Sequence, residues 1–82
     1  MAKFMDIHRG MKDISPAALA EAHDADLALQ AGEGVEFTHA WADPDSGMVF
    51  CLSTGPDVAA VQRVHEQAGH PADEYYAIEV EV

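Results

Sequence analysis

Apolar and polar side chains alternate along three stretches of the chain, a fourth short stretch is largely apolar, and two longer stretches carry apolar residues at helical spacing. Alternation is typical of a β-strand with one buried face, and recurrence every three to four residues is typical of an amphipathic helix. Ser15 followed by Pro16 is a typical helix start, and Gly69 is a typical helix end. The pattern predicts strands over residues 3–8, 35–43, 48–53 and 74–82, and helices over residues 17–31 and 58–68.

The predicted order is strand, helix, strand, strand, helix, strand, which is the order of the ferredoxin-like or split βαβ arrangement. Two right-handed crossovers place both helices on one face of an antiparallel sheet, with the first and third strands central. The chain has 82 residues, a length that suits one small domain. We therefore predict an α+β protein that forms a single ferredoxin-like βαββαβ domain over residues 1–82.

The charge of the chain argues against several classes of partner. Its 15 acidic and 4 basic residues give a formal net charge of −11, which disfavours binding to nucleic acids and to anionic membranes. No stretch approaches the roughly 20 apolar residues of a membrane span, and charged residues interrupt the beginning of the chain where a signal peptide would be apolar. Cys51 is the only cysteine, which fits a reducing cytoplasm. A strongly acidic chain attracts cations, and its five histidines make metal ions the first ligand class to consider.

Four polar side chains fall where the pattern predicts the layer between the sheet and the helices. Asp26 lies inside the apolar stripe of the first helix, and His23 lies on the border of that stripe. His65 leans inward on the second helix, and His39 shares its strand face with two aromatic residues. These side chains are either metal ligands or core groups that are satisfied by hydrogen bonds.

The first strand carries a further candidate pair. Asp6 and His8 point to the same side of this strand, on a sheet face expected to lie away from the helices. The pair is either a strand-borne metal site or an Asp–His hydrogen bond at a dimer seam. Because this face is half apolar, we expect it to form a homodimer interface. The apolar residues assigned to it are Phe4, Val49, Cys51, Tyr75 and Ala77.

Two more residues bear on the chemistry of a metal site. His70 follows the end of the second helix and is either a ligand or a helix C-cap. Cys51 lies on an apolar strand and is expected to be an inert core thiol. We therefore expect metal binding through imidazole more than through thiolate. Since the unperturbed pKa of imidazole is about 6.5, such binding should weaken below about pH 6.5.

The histidine-bearing segments resemble a known family. The segments FMDIHRGM (4–11), GVEFTHAWAD (34–43), FCL (50–52) and VHEQAGHPADE (64–74) are similar to small nickel-binding proteins of ferredoxin-like fold. The resemblance runs nearly end to end, and it implies a homodimer, nickel bound largely at the protein surface, and a role in nickel sequestration or tolerance. The candidate ligands for Ni²⁺ come from the face assignments rather than from the resemblance. They are His8, His23, Asp26, His39, His65 and His70.

The leading functional hypothesis is a cytoplasmic, non-catalytic protein that binds Ni²⁺. Imidazole and carboxylate suit Ni²⁺, although they also bind Cu²⁺ and Zn²⁺. One alternative is a small dimeric α/β-barrel enzyme in which Asp26, His39 and His65 act as acid–base groups in a pocket between the sheet and the helices. Another is an interaction module with structural histidines. Stoichiometric metal uptake without an organic ligand favours the first hypothesis, and a closed apolar pocket favours the enzyme.

Overall fold

A computed structural model describes all 82 residues of the chain. The predicted order of strands and helices is confirmed, and the first helix ends slightly early because the chain tightens into a 3₁₀ turn, Gln30–Glu33. The elements are β1 (Ala2–His8), α1 (Pro16–Leu29), β2 (Glu36–Asp43), β3 (Met48–Gly55), α2 (Val58–Ala68) and β4 (Glu74–Ala77). Neither helix has the length and apolar character that crossing a membrane requires.

The four strands form one antiparallel sheet in the order β2-β3-β1-β4, so β1 and β3 are central, as predicted. The register places Asp6 of β1 between Cys51 of β3 and Tyr75 of β4. Helix α1 packs against β2, helix α2 packs against β3, and the two helices contact each other over one face of the sheet. This arrangement is the ferredoxin-like fold that the order of elements predicts.

Local capping residues fix the start of both helices and the end of α2. Ser15 Oγ accepts a hydrogen bond from the backbone N–H of Ala18, and the Asp57 carboxylate accepts one from the backbone N–H of Ala60. Gly69 ends α2 with a φ of 85°, a left-handed conformation that glycine adopts without strain. Helix α2 held in this way turns His65 toward the sheet, where the side chain is completely buried.

The sheet face beneath the helices, called here the covered face, is the opposite of the expected one. Phe4, Asp6 and His8 of β1 are buried on it together with Val49 and Cys51 of β3, so the expectation that they face away from the helices is wrong. Alternation separates the two faces of a strand, but it does not say which face is covered. The opposite face of β1 and β3 is also rich in apolar residues, so the hydrophobic pattern does not identify the face that the helices cover.

A β-bulge in β2 determines where His39 lies. The pairing with β3 shifts between Phe37 and His39, which makes Thr38 an extra residue. Phe37 is buried in the core, whereas His39 and Trp41 are exposed on the opposite face. The expectation that His39 meets the helices is therefore wrong, because one inserted residue reverses the alternation that follows it.

The sheet face that the helices leave open, called here the outer face, carries two rows of side chains that cross the strands. Trp41 is 46% exposed and Tyr76 is 51% exposed on this face. The rings of Trp41 and His39 stack with centroids 5.0 Å apart. An apolar surface of the kind expected at a homodimer interface is therefore present, but on this face. The two rows of register partners are Trp41–Phe50–Ile7 and His39–Leu52–Met5–Tyr76.

Strand β4 is shorter than the predicted strand over residues 74–82. It ends at Ala77, which pairs with Phe4 near the beginning of β1. The backbone N–H of Ile78 still donates to the carbonyl of Lys3 at 2.8 Å. Beyond Ile78, only the first residues of β1 remain as possible pairing partners. The last residues therefore alternate like a strand but have no neighbouring strand with which to pair.

Candidate metal centre

Three elements bring four buried donor side chains together on the covered face. Asp6 and His8 come from β1, Cys51 comes from β3, and His65 comes from α2. Asp6 and Cys51 are register partners on the two central strands, and His8 lies two residues beyond Asp6 on the same side. The donor atoms of the four side chains all lie within 4.8 Å of one another. We call this group the buried cluster.

His65 is held between two carboxylates. Its Nε2 donates to Asp6 Oδ2 at 2.8 Å, and its Nδ1 donates to Asp26 Oδ1 at 3.0 Å. Burial alone would lower the pKa of His65, but the hydrogen bonds to Asp26 and Asp6 outweigh it and raise the pKa to about 12. Both ring nitrogens of His65 are engaged by carboxylates, so the side chain presents no free nitrogen to a metal ion. Its role in the buried cluster is to orient the two carboxylates and balance their charge.

His8 and Asp6 form the part of the buried cluster that fits a metal ion best. His8 Nε2 lies 2.9 Å from Asp6 Oδ1 and 3.9 Å from Cys51 Sγ. The Asp6 contact is an ion pair without the alignment of a hydrogen bond, so Asp6 Oδ1 is buried with no hydrogen-bond partner. Burial alone would lower the pKa of His8, but the contacts with Asp6 and Cys51 raise it to about 9.

The carboxylate of Asp6 keeps its charge although it is buried. Burial alone would raise its pKa, but the hydrogen bond from His65 and the contact with His8 outweigh burial and lower the pKa below the usual range. Neighbouring ligands around one ion, with bonds of about 2.0–2.3 Å, stand roughly 3–4 Å apart, which matches the spacing of Asp6 Oδ1, His8 Nε2 and Cys51 Sγ. The residues therefore fit a divalent ion that replaces the proton on His8.

A second group of donors adjoins the buried cluster through His65. Asp26 Oδ1 accepts hydrogen bonds from both His65 and His70, the latter at 2.9 Å from His70 Nε2. The His70 side chain is partly exposed, and its ring centroid lies 5.7 Å from that of His8. The chain of contacts from His70 through Asp26, His65 and Asp6 to His8 is continuous.

The structure thus brings four of the six candidate ligands into one network and separates the other two from it. His8, Asp26, His65 and His70 belong to the network. His23 lies on α1 beside the same region, and its Nδ1 is buried without a hydrogen-bond partner. His39 lies on the outer face, where its Nδ1 contacts the Thr38 hydroxyl at 3.1 Å.

Two members of the buried cluster were not among the predicted ligands. Asp6 was considered with His8 as a metal site on the first strand. Because the pair was assigned to the sheet face away from the helices, the proximity of Asp6 to His65 was not predicted. Cys51 was assigned to the same face as Asp6 but was expected to be an inert core thiol, and it lies directly across the ladder from Asp6. The signal that could have found both is the antiparallel register of the two central strands, which sets Asp6 beside Cys51 and His8 beside Val49.

Fold and site together define a ferredoxin-like α+β protein with a buried histidine–carboxylate cluster. The chain belongs to the SCO4226-like family of nickel-responsive proteins, whose family model matches residues 4–78. It is similar to SCO4226 from Streptomyces coelicolor A3(2), a protein of known crystal structure that shares 54% sequence identity with it. The two structures superpose with a TM-score of 0.97, over 99% of this chain and 100% of that one. Among curated proteins, none matches the chain.

Proposed function

We propose that this chain is a non-catalytic protein that binds Ni²⁺ in the cytoplasm and thereby sequesters it or confers tolerance to it. Membership of a nickel-responsive family supports the choice of metal. The donor set of the buried cluster also supports it, because Ni²⁺ accepts imidazole and carboxylate ligands with water in the remaining positions. The net charge of −11 raises the local concentration of cations around the protein.

The observation that carries the proposal is the position of Asp6 Oδ1, which is buried 2.9 Å from His8 Nε2 without a well-aligned hydrogen bond. A buried carboxylate oxygen that accepts no hydrogen bond is costly, and such oxygens are rare in folded proteins. Here the oxygen lies beside the Nε2 of His8 and near a thiol, which are both metal-ligating groups. A divalent cation between Asp6 and His8 would satisfy the oxygen and take the place of one proton.

We also propose that the protein is a homodimer that pairs through the outer face. The two rows of this face are mainly apolar and lie on the side of the sheet opposite the buried cluster. A second copy would therefore add apolar burial at roughly 25 cal/mol per Å² without disturbing the cluster. Trp41 supports this assignment, because a large exposed aromatic residue is typical of the centre of an interface.

The proposal is tested by calorimetric titration of the metal-free protein with Ni²⁺, and with Zn²⁺, Co²⁺ and Cu²⁺ in parallel. The His8→Gln variant removes a ligand from the buried cluster, and the His39→Gln variant removes an exposed imidazole as a matched control. We expect His8→Gln to lose one equivalent of bound nickel and His39→Gln to keep it. Nickel uptake unchanged by His8→Gln, with the fold intact by circular dichroism, would contradict the proposed site.

A further inference from the structure

A small cavity lies between α1, the loop that follows β1, and the covered face of the sheet, and it is partly open to solvent. Its volume is about 50 Å³. Since one water molecule needs about 10–15 Å³ of such space, the cavity has room for a few waters but not for an organic ring. His8 and Cys51 of the buried cluster line the cavity together with Asp26 and His70. The cavity therefore joins the buried cluster to the surface of the protein.

His70 is the donor of the network that solvent reaches most easily. Its side chain is 27% exposed, against 10% for His8 and 2% for Asp26. The ring centroids of His70 and His8 lie 5.7 Å apart. An ion that enters the cavity from solvent therefore meets His70 before it reaches His8, and the step between the two imidazoles is short.

Asp26 and His70 are placed as two neighbouring ligands of one ion. Asp26 Oδ1 and His70 Nε2 lie 2.9 Å apart. Two ligands at right angles around an ion, with bonds of about 2.1 Å, stand about 3.0 Å apart. A neutral imidazole can carry its proton on Nδ1, which leaves Nε2 of His70 with a lone pair that points at the carboxylate. Both side-chain hydrogen bonds that Asp26 accepts go to Oδ1, so Oδ2 also remains available to an ion.

We propose that Asp26 and His70 form an entry site that takes a divalent cation from solvent and passes it through the cavity to the buried cluster. This inference rests on the proposed nickel function and adds the route by which the ion arrives. Removal of water from a divalent ion is costly, and a carboxylate and an imidazole at the entrance replace part of the hydration shell before the ion is buried. The ion moves on because Asp26 Oδ1 is already satisfied by two imidazoles, whereas Asp6 Oδ1 accepts no well-aligned hydrogen bond.

The kinetics of nickel binding test the entry site on the metal-free wild-type chain and on the His70→Gln variant. Stopped-flow mixing with Ni²⁺ and a metallochromic indicator gives the association rate, and a chase with excess chelator gives the dissociation rate. We expect His70→Gln to lower both rates at least about fivefold, which corresponds to about 1 kcal/mol of barrier height. The equilibrium affinity should not change, because His70 is absent from the final site. His39→Gln removes an imidazole on the outer face as a matched control and should change neither rate.

Two further variants locate the route. Ala22→Leu narrows the cavity from α1 without removing a donor, and Ala28→Leu places the same side chain on the exposed side of that helix. Ala22→Leu should slow both rates, and Ala28→Leu should slow neither. Rates unchanged by His70→Gln, or a dissociation rate that does not fall together with the association rate, would overturn the entry site, and so would unchanged rates in a folded Ala22→Leu chain. Failure of the wild-type chain to bind nickel in the equilibrium titration would contradict the proposed function, and the entry site with it.

Discussion

The two faces of the sheet depart in opposite ways from the usual arrangement of apolar side chains inside and polar side chains outside. The covered face buries Asp6 and His8, and it packs against Asp26 and His65 of the helices. The outer face exposes Trp41 and a continuous apolar surface. Buried polar groups and exposed apolar patches are the informative departures from the usual pattern, because each costs free energy unless it has a partner. These departures support the proposed metal site on the covered face and the proposed dimer interface on the outer face.

The charged side chains of the buried cluster stabilise the fold only when all of them are present. His65 contributes a positive charge between two carboxylates, and the removal of one partner leaves a charge in a completely buried position. The outer face has no such dependence, since most of its side chains are apolar and none of them is a buried charge.

Asp26→Asn should destabilise the protein by about 3–5 kcal/mol, because it leaves the charged His65 with only one carboxylate. The free energy of unfolding is measured by urea denaturation of the metal-free protein. Asp24→Asn is the matched control, since Asp24 lies on the exposed side of the same helix. A loss of less than about 1 kcal/mol in Asp26→Asn would show that the buried charges are not coupled.

The stability of the metal-free protein should fall as the pH rises from neutral to alkaline values. The folded pKa of His8 is raised to about 9, above the unfolded value of about 6.5. The stabilisation is therefore complete below about pH 6.5 and is lost as the pH approaches 9, an effect of up to about 3 kcal/mol. His65 adds to the loss over the same range, because its pKa is also raised, to about 12. The lowered pKa of Asp6 has the opposite pH dependence. Its contribution to the free energy of unfolding is lost only as the pH falls into the acid range. Chemical denaturation of the wild-type chain tests the sign, and a smaller fall in His8→Gln measures the share of His8.

Phe50→Lys should dissociate the proposed dimer without affecting nickel uptake, because Phe50 lies in the middle of a row on the outer face. A charge at the centre of an apolar interface is expected to weaken association by roughly 2 kcal/mol or more, or about thirtyfold. Sedimentation velocity measures the change, with Gln67→Lys on the exposed side of α2 as the control. A monomer in the wild-type protein at micromolar concentration would refute the dimer itself.

Cys51→Ser should have the smallest effect on nickel. Ni²⁺ is satisfied by imidazole, carboxylate and water, so the number of bound ions should not change even though Cys51 Sγ lies 3.9 Å from His8 Nε2. Calorimetry of the variant checks this expectation. Loss of a full equivalent would make the thiol an essential ligand.

The fold could be predicted from the sequence because its signals are local. The caps at Ser15 and Gly69, and the order of the periodic segments, gave the arrangement of the six elements and the central position of β1 and β3. The inward position of Asp26 and His65 also followed from helical periodicity, because each helix has only one stripe facing the core.

The site could not be predicted completely because it depends on features without a local signal. Both faces of β1 suit burial, so the side on which Asp6 and His8 lie was decided by packing of the helices. The bulge at Thr38 has no mark in the sequence, yet it moved His39 to the outer face. Cys51 joins the buried cluster only through the pairing of two strands that are distant in sequence.

Nickel is proposed to displace a proton from His8 in the buried cluster. Calorimetric nickel titration in buffers of different ionisation enthalpy, over a range of pH, measures that displacement. Because the pKa of His8 is raised to about 9, wild-type protein should release about one proton for each nickel bound at neutral pH. Its affinity should rise about tenfold per pH unit until about pH 9. An affinity that stops rising near pH 6.5, the unperturbed value for imidazole, with no proton release above it, would contradict the claim.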